Sequence, residues 1–255
     1  MSERRKRVRI IGIGAGHPDQ LTVEAVQALR DVDYFIVADK ARQPGRDGVD
    51  GLVRAREQLL TRHVGADWRV VAVADPERDR DPADYDRAVA DWHEARAAAY
   101  ERVLLEEPGD AGFLVWGDPA FYDSTIRIVE RVLARGNVAF YWDVLPGISS
   151  LQLLAARHRI VLHEVGQPIH VTTGRRLREA VAAGESNLLV MLNAGMDLAD
   201  LPGDWHLWWG ANLGTADERL VAGELRASLA AVGEARDEAK RAAGWVMDVF
   251  LLRRA

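Results

Sequence analysis

The sequence reads as a two-domain α/β protein, and three observations carry that reading. In the front half, short apolar runs alternate with longer amphipathic stretches, the order that builds a mostly parallel sheet with helices on both faces. Turns rich in Gly and Pro follow directly on three of those apolar runs. Beyond Leu145 the texture changes to more short apolar runs and fewer long helices, which predicts a second domain with a mixed sheet. The change of texture places the boundary near Asp143–Pro146 and gives domains 1–144 and 145–255.

Taken in order, Arg7–Ile13 is a continuous apolar strand. Leu21–Arg30 follows as a helix, with Thr22 near its cap and Val23, Val26, Ala28 and Leu29 at apolar positions. Tyr34–Ala38 is the second strand, and Lys40–Gly51 a polar loop containing Gly and Pro. Helices are expected over Leu52–His63, Tyr85–Leu105 and Asp123–Ala134, with strands at Arg69–Val73, Gly112–Trp116 and Val138–Tyr141. In the second domain, strands are expected at Ile169–Thr173, Leu188–Leu192, His206–Asn212 and Trp245–Leu252. Helices there are Ser149–Ala156, Arg175–Ala182 and Ala227–Ala242.

Composition narrows the function classes. With 255 residues and 48% hydrophobic content the chain can bury a sizeable core. No run of about eighteen apolar residues occurs, so no membrane span is expected. The basic start (Arg4, Arg5, Lys6, Arg7, Arg9) leads into the first strand rather than into a signal-peptide core, so it reads as a solvated lead-in. There is no cysteine, which removes disulfides, thiolate metal sites and cysteine nucleophiles and fits a cytoplasmic protein. A net charge of −6 argues against nucleic acid as a partner. An acidic ligand would then need a local arginine cluster, such as Arg175 with Arg176 or the group Arg157, His158 and Arg159.

Three motifs carry chemistry. Ile11-Gly12-Ile13-Gly14-Ala15-Gly16-His17-Pro18 follows the first strand, where glycines let backbone N–H groups approach a ligand closely. It invites a dinucleotide reading, with Asp39 at the end of the second strand as the ribose-binding acid. The spacing fails, because the third glycine of that fingerprint would fall at His17. Val115-Trp116-Gly117-Asp118-Pro119-Ala120-Phe121-Tyr122 makes a turn at the carboxyl edge of the sheet, with two aromatic rings able to wall a planar ligand. Pro146-Gly147-Ile148-Ser149-Ser150 offers two hydroxyls at a helix start, for capping or for a ligand.

Taken together and in this order, the three motifs resemble the tetrapyrrole (corrin and porphyrin) methylases. The likeness extends to Leu188–Asn193, to Gly210-Ala211-Asn212-Leu213-Gly214-Thr215 and to Gly244–Leu252, so it covers nearly the whole chain. Several runs (Ile11–Pro18, Phe113–Ile128, Ala155–Ile160, Thr172–Arg176 and Gly244–Asp248) resemble the branch of that family that releases acetate as it methylates. The resemblance implies two α/β domains with S-adenosylmethionine folded into the cleft between them, leaving as S-adenosylhomocysteine. It implies cofactor contacts at Ala15, Trp116, Gly117, Asp118, Phe121, Ser149, Ser150, Leu192, Trp209 and Ala211. It also implies a precorrin substrate, no metal and a homodimer. Many relatives carry Pro-Gly-Asp where this chain has Ala15-Gly16-His17, so His17 stands in the place of the usual acid.

Methyl transfer needs alignment more than a strong base. Acetate loss needs an activated water and a stabilised oxyanion. Candidate groups at strand ends are His17, Asp19, Asp39, Tyr122 and Asp123, with His17 first because an imidazole exchanges a proton near neutral pH. Arg175 and Arg176 are expected to clamp substrate carboxylates, and Arg42 and Arg46 to close over them. The competing readings are another precorrin C-methyltransferase that keeps its acetate, a nicotinamide oxidoreductase using Gly12, Gly14 and Asp39, and a non-enzymatic adapter. The downstream motifs have no place in the last two.

Overall fold

The computed structural model describes residues 5–39, 49–76, 84–193, 195 and 198–255. The chain forms two compact units, Met1–Gly14 with Pro18–Ile148, and Ala15–His17 with Ser149–Ala255. The chain therefore passes between units three times, and two of those passages lie inside the first glycine motif.

The first unit holds a five-stranded sheet in the order β3-β2-β4-β1-β5. Its strands are β1 (Lys6–Gly12), β2 (Tyr34–Asp39), β3 (Val70–Ala74), β4 (Ala111–Val115) and β5 (Phe140–Leu145). Every pairing is parallel, as the alternation of strand and helix predicts. The helices are α1 (Val23–Asp31), α2 (Val49–His63), α3 (Tyr85–Glu106) and α4 (Thr125–Arg135). The sequence is apolar along β1 because both faces of that strand are covered. Val8 and Ile10 pack with Tyr100 and Val103 of α3 and with Ile128 and Val129 of α4. Ile11 and Ile13 point the other way, to Ala25 and Leu29 of α1 and Leu59 and Leu60 of α2. Each such large side chain, fully buried, contributes about 1.5–3 kcal/mol.

Local signals set the helix ends. The Thr22 hydroxyl accepts from Ala25 N at 3.0 Å and starts α1. Gly136, at φ 74°, ends α4 in the left-handed conformation. The basic lead-in is more than a solvated arm. Lys6 Nζ donates to the Leu104 carbonyl at 2.6 Å and to Tyr34 Oη at 3.1 Å, near the carboxyl end of α3. Burial lowers the Lys6 pKa and raises that of Tyr34 to about 12.

The second unit holds a mixed sheet in the order β6-β7-β10-β8-β9. Its strands are β6 (His170–Thr173), β7 (Asn187–Met191), β8 (Trp205–Ala211), β9 (Arg219–Glu224) and β10 (Asp248–Arg254). Only β6 and β7 run parallel among these pairs. The helices are α5 (Ser150–His158), α6 (Leu177–Ala182), which comes after a 3-10 turn at Gly174–Arg176, and α7 (Leu225–Ala243). One sheet face packs Val190, Leu207, Trp209 and Phe250 against Leu225, Val232 and Ala239 of α7. The other packs Leu189, Val249 and Leu251 with Leu151 and Leu154 of α5, and with Ala15.

Strand β9 is not predicted by the sequence pattern. It is an edge strand of alternating exposure that pairs only with β8, so neither its length nor its hydrophobicity marks it. Trp245–Met247, expected in the last strand, precede it, and β10 opens at Asp248.

Candidate functional site

The three motif loops come after β1, β4 and β5, which are neighbours in the sheet of the first unit. Glycine backbones join them. Gly14 and Gly117 exchange hydrogen bonds at 3.2 and 2.8 Å, with φ of 74° and 71°. A Cβ on Gly12 would stand 2.5 Å from Gly147 N, and one on Gly147 would stand 2.1 Å from Gly117 O. The glycines are therefore required for backbone to lie on backbone, in addition to any ligand they serve.

Asp118 braces the same junction. Its Oδ2 accepts from Gly147 N at 2.9 Å and its Oδ1 from Ala120 N at 2.8 Å. With both oxygens engaged it holds the loops together. Beyond it the loop presents aromatic groups outward. Phe121 is exposed, and Tyr122 is 46% exposed with φ of 51°, a conformation costly for a bulky residue. Asp123 Oδ1 accepts from Thr125 N at 2.7 Å at the start of α4. Trp116 is partly buried, packed on the core that contains Leu114 and Leu145.

The second unit holds the other expected contacts. Ser149 is buried and caps α5 through a capping box: its Oγ accepts from Gln152 N at 3.3 Å, and Gln152 Oε1 accepts from Ser149 N at 2.8 Å. Ser150 opens that helix and is partly buried. Ala15 is buried, and Gly16 lies so close to Leu213 O and Thr215 that a Cβ would meet both at 2.8 Å. Asn212, at φ 48°, fixes the turn after β8: its Oδ1 accepts from Met247 N at 2.9 Å and its Nδ2 donates to Trp245 O at 3.2 Å. Ala211 and Trp209 are fully buried, and the Trp209 indole donates to Asp248 Oδ2 at 3.3 Å. The Trp209 ring is therefore a core side chain, and a ligand could meet only its backbone.

Leu192 comes after β7 at φ 54° with its side chain 62% exposed, an arrangement that costs conformational energy and holds an apolar group in the open. It lines a cavity of about 600 Å³ with Thr173, Gly174, Arg175, Asn193 and Phe250. Asn193 Nδ2 donates to the Asp248 carbonyl and to Asp248 Oδ1, each at 3.4 Å, while its Oδ1 is buried without a partner. An unpaired buried acceptor costs about 1–3 kcal/mol unless a donor arrives. The sequence does not single out Asn193, because a lone amide after a strand looks like any loop residue.

The remaining expected residues are dispersed. His17 is exposed, within the stretch that belongs to the second unit. Asp19 pairs with Arg62 on the surface. Asp39 ends β2, level with Ala74 of β3, and its side chain lies outside the described residues. Arg42 and Arg46 also lie outside them. Arg175 lines the cavity, whereas Arg176 is paired with Glu179 at 2.8 and 3.0 Å. That hydrogen bond holds the Glu179 carboxyl below its ordinary range. In the other basic cluster, Arg157 pairs with Glu218 at 2.8 Å and His158 Nε2 meets the Trp209 carbonyl at 2.9 Å. Those two residues serve the structure. Among the described residues no group of acidic and histidine side chains could hold a metal, and no helix is long and apolar enough to cross a membrane.

Loops knit by glycine at the carboxyl edge of a parallel sheet, with a mixed sheet in a second unit, define the class. The sequence profile of the Tetrapyrrole (Corrin/Porphyrin) Methylases matches residues 7–228, and the chain belongs to that family of methyltransferases. Within it, the chain is 42% identical over 254 residues to a precorrin-6A synthase [deacetylating] from Sinorhizobium sp, covering 98% of this chain and 95% of that one. A cobalamin synthesis related protein from Corynebacterium diphtheriae (CobF) has the same fold at a TM-score of 0.79 and 32% identity, covering 98% of this chain and 99% of that one. Uroporphyrin-III C-methyl transferase from Thermus thermophilus, complexed with S-adenyl homocysteine, shares the fold at a TM-score of 0.60 and 20% identity, with 97% of each chain covered.

Proposed function

We propose that this chain is an S-adenosylmethionine-dependent C-methyltransferase of cobalamin biosynthesis that converts precorrin-5 to precorrin-6A, methylating C-1 and releasing acetate. The observation that carries this reading is the 42% identity, over 98% of the chain, to a precorrin-6A synthase [deacetylating]. The residues present fit the cofactor. Glycine loops gather at the carboxyl edge of the first sheet, and the buried Asn193 Oδ1 suits a hydroxyl or amine donor. The proposed contacts are Ala15, Trp116, Gly117, Asp118, Phe121, Ser149, Ser150, Leu192, Trp209 and Ala211. Trp116 and Trp209 serve through their backbones, Asp118 by holding its loop, and Phe121 and Leu192 by apolar contact.

When bound, S-adenosylmethionine supplies a methyl group on a positively charged sulfur and leaves as S-adenosylhomocysteine. The protein's task is to align the acceptor carbon with that methyl and keep water out, which recovers roughly 7–11 kcal/mol of the barrier. Alignment of this kind requires no metal. Loss of acetate requires a base for water, and we assign that role to His17, with Asp39, Tyr122 and Asp123 as the other groups able to move a proton there. Arg175 and Arg176 receive substrate carboxylates, Arg176 by exchanging its pairing with Glu179. The reading places the enzyme in the cytoplasm as a homodimer that binds a precorrin and neither nucleic acid nor membrane.

One calorimetric titration tests the class: S-adenosylhomocysteine should bind and NAD should not. Binding of NAD alone would overturn the reading in favour of an oxidoreductase. Incubation with precorrin-5 and S-adenosylmethionine should then release acetate, and methylation with no acetate would reassign the substrate. In the same assay His17→Ala should still bind S-adenosylhomocysteine but turn over more slowly. Acetate release at the wild-type rate would remove His17 as the base.

A further inference from the structure

The first unit carries a cluster of ionisable side chains that the three glycine loops do not use: Arg56 on α2, Asp75 after β3, Arg96 and Tyr100 on α3, and Asp123 before α4. Most of these groups are satisfied. Arg96 Nε pairs with Asp75 Oδ1 at 2.6 Å, both side chains nearly sealed from solvent, and its guanidinium lies 4.2 Å from the Trp92 ring centroid. Asp123 accepts from the Thr125 amide. Tyr100 is buried, and burial raises its pKa, so it stays protonated and neutral.

Arg56 is left over. Its Nε is buried with no hydrogen-bond partner, and among the described residues no carboxylate forms an ion pair with it. Asp123 acts on it electrostatically, yet the cost of burial prevails and lowers the Arg56 pKa from its ordinary value. Buried charges are normally paired, since an isolated one loses its hydration and gains nothing in return. The Asp123 charge that acts on it belongs to the loop between β4 and α4, at the carboxyl edge of the parallel sheet, where ligands of such folds enter. The planar fork of Arg56 matches the two oxygens of a carboxylate.

We propose that Arg56 is the receptor for a side-chain carboxylate of the tetrapyrrole substrate, and that its charge is left unpaired in the free protein for that purpose. This rests on the precorrin reading. Bound carboxylate completes an ion pair that the protein itself leaves open, so Arg56 selects for a polycarboxylated macrocycle.

Arg56→Met and Arg56→Lys test the assignment against the wild type by thermal melting without ligand and by titration with precorrin-5 and with S-adenosylhomocysteine. Arg56→Met should melt at a higher temperature than the wild type, because it removes a charge that loses more by burial than Asp123 returns, at similar volume. It should bind precorrin-5 roughly 30-fold more weakly or worse, as expected for truncating one side of a buried charge pair. Its affinity for S-adenosylhomocysteine should be unchanged, and Arg56→Lys should recover part of the precorrin affinity. A lower melting temperature for Arg56→Met would show that Arg56 supports the fold through Asp123, and would overturn the proposal. So would an unchanged precorrin-5 affinity. Failure of the precorrin reading shows in the wild type alone, as no acetate released from precorrin-5. The melting comparison needs no substrate and judges Arg56 either way.

Discussion

At the scale of single residues, the glycines of the three loops are spacers between backbones. Gly147 is the most demanding, since a methyl there would overlap the Gly117 carbonyl at 2.1 Å and the Gly12 backbone at 2.9 Å. Neither neighbour is a flexible side chain, so the loops themselves must move. We expect Gly147→Ala to cost about 1–3 kcal/mol, the usual penalty of overpacking, and to weaken S-adenosylhomocysteine binding as the loops part. The urea midpoint measures the first effect, and a midpoint equal to that of the wild type would refute it. The sequence announces these glycines by their spacing after strands, but not that they touch one another, because strand order is needed for that. Arg56 was illegible for another reason. A charged residue in an amphipathic helix reads as a solvated face, and the groups that act on its charge, Tyr100 of α3 and Asp123 before α4, are distant in sequence.

At the scale of elements, alternation and apolar runs made nine of the ten strands among the described residues legible. The tenth, β9, has one sheet partner and an alternately exposed sequence, so tertiary pairing decides it. The helix after it, α7, starts on a local signal. Glu224 caps α7, its carboxylate accepting from the Ala227 and Arg226 amides at 2.7 and 3.0 Å. Those bonds lower its pKa in the folded state, the one to Ala227 most. A carboxyl depressed by folding stabilises the protein above its unfolded value, ordinarily 4.5, and that contribution is lost as the pH falls through the lower folded value. Glu224→Gln removes the titration while keeping one cap oxygen. The stability advantage of the wild type over this variant should therefore be full at neutral pH and shrink as the solution is acidified below 4.5. Denaturant titrations of both proteins across that range check it, and a constant difference would show that the cap carries no charge dependence.

At the scale of the whole molecule, the sequence suggests a single boundary near residue 145, whereas the compact units interleave. Ala15–His17 belong with Ser149–Ala255, and Ala15 is buried among Leu151, Leu154, Leu213 and Val249. Hydrophobic periodicity could not reveal this, because three residues inside a glycine-rich turn carry no period. A fragment of residues 149–255 lacks that piece of its core and should not fold as a sharply cooperative body. We expect a broad urea transition and binding of a hydrophobic dye, the marks of loosened packing. A transition as steep as its size allows, with no dye bound, would show that Ala15–His17 are dispensable to that unit.

The same interleaving has a consequence during synthesis. Gly16 leaves the ribosome early, but its neighbours Leu213 and Thr215 emerge roughly 200 residues later, about 10–40 s at ordinary rates of translation. Through that interval the turn after β1 has no permanent place to lie. The nascent chain can complete the parallel sheet once β5 has emerged, yet the outer half of its first glycine turn must wait for the last third of the protein. This enzyme is finished from its far end, and a ribosome stalled late would hold a well-formed sheet with one unsettled corner.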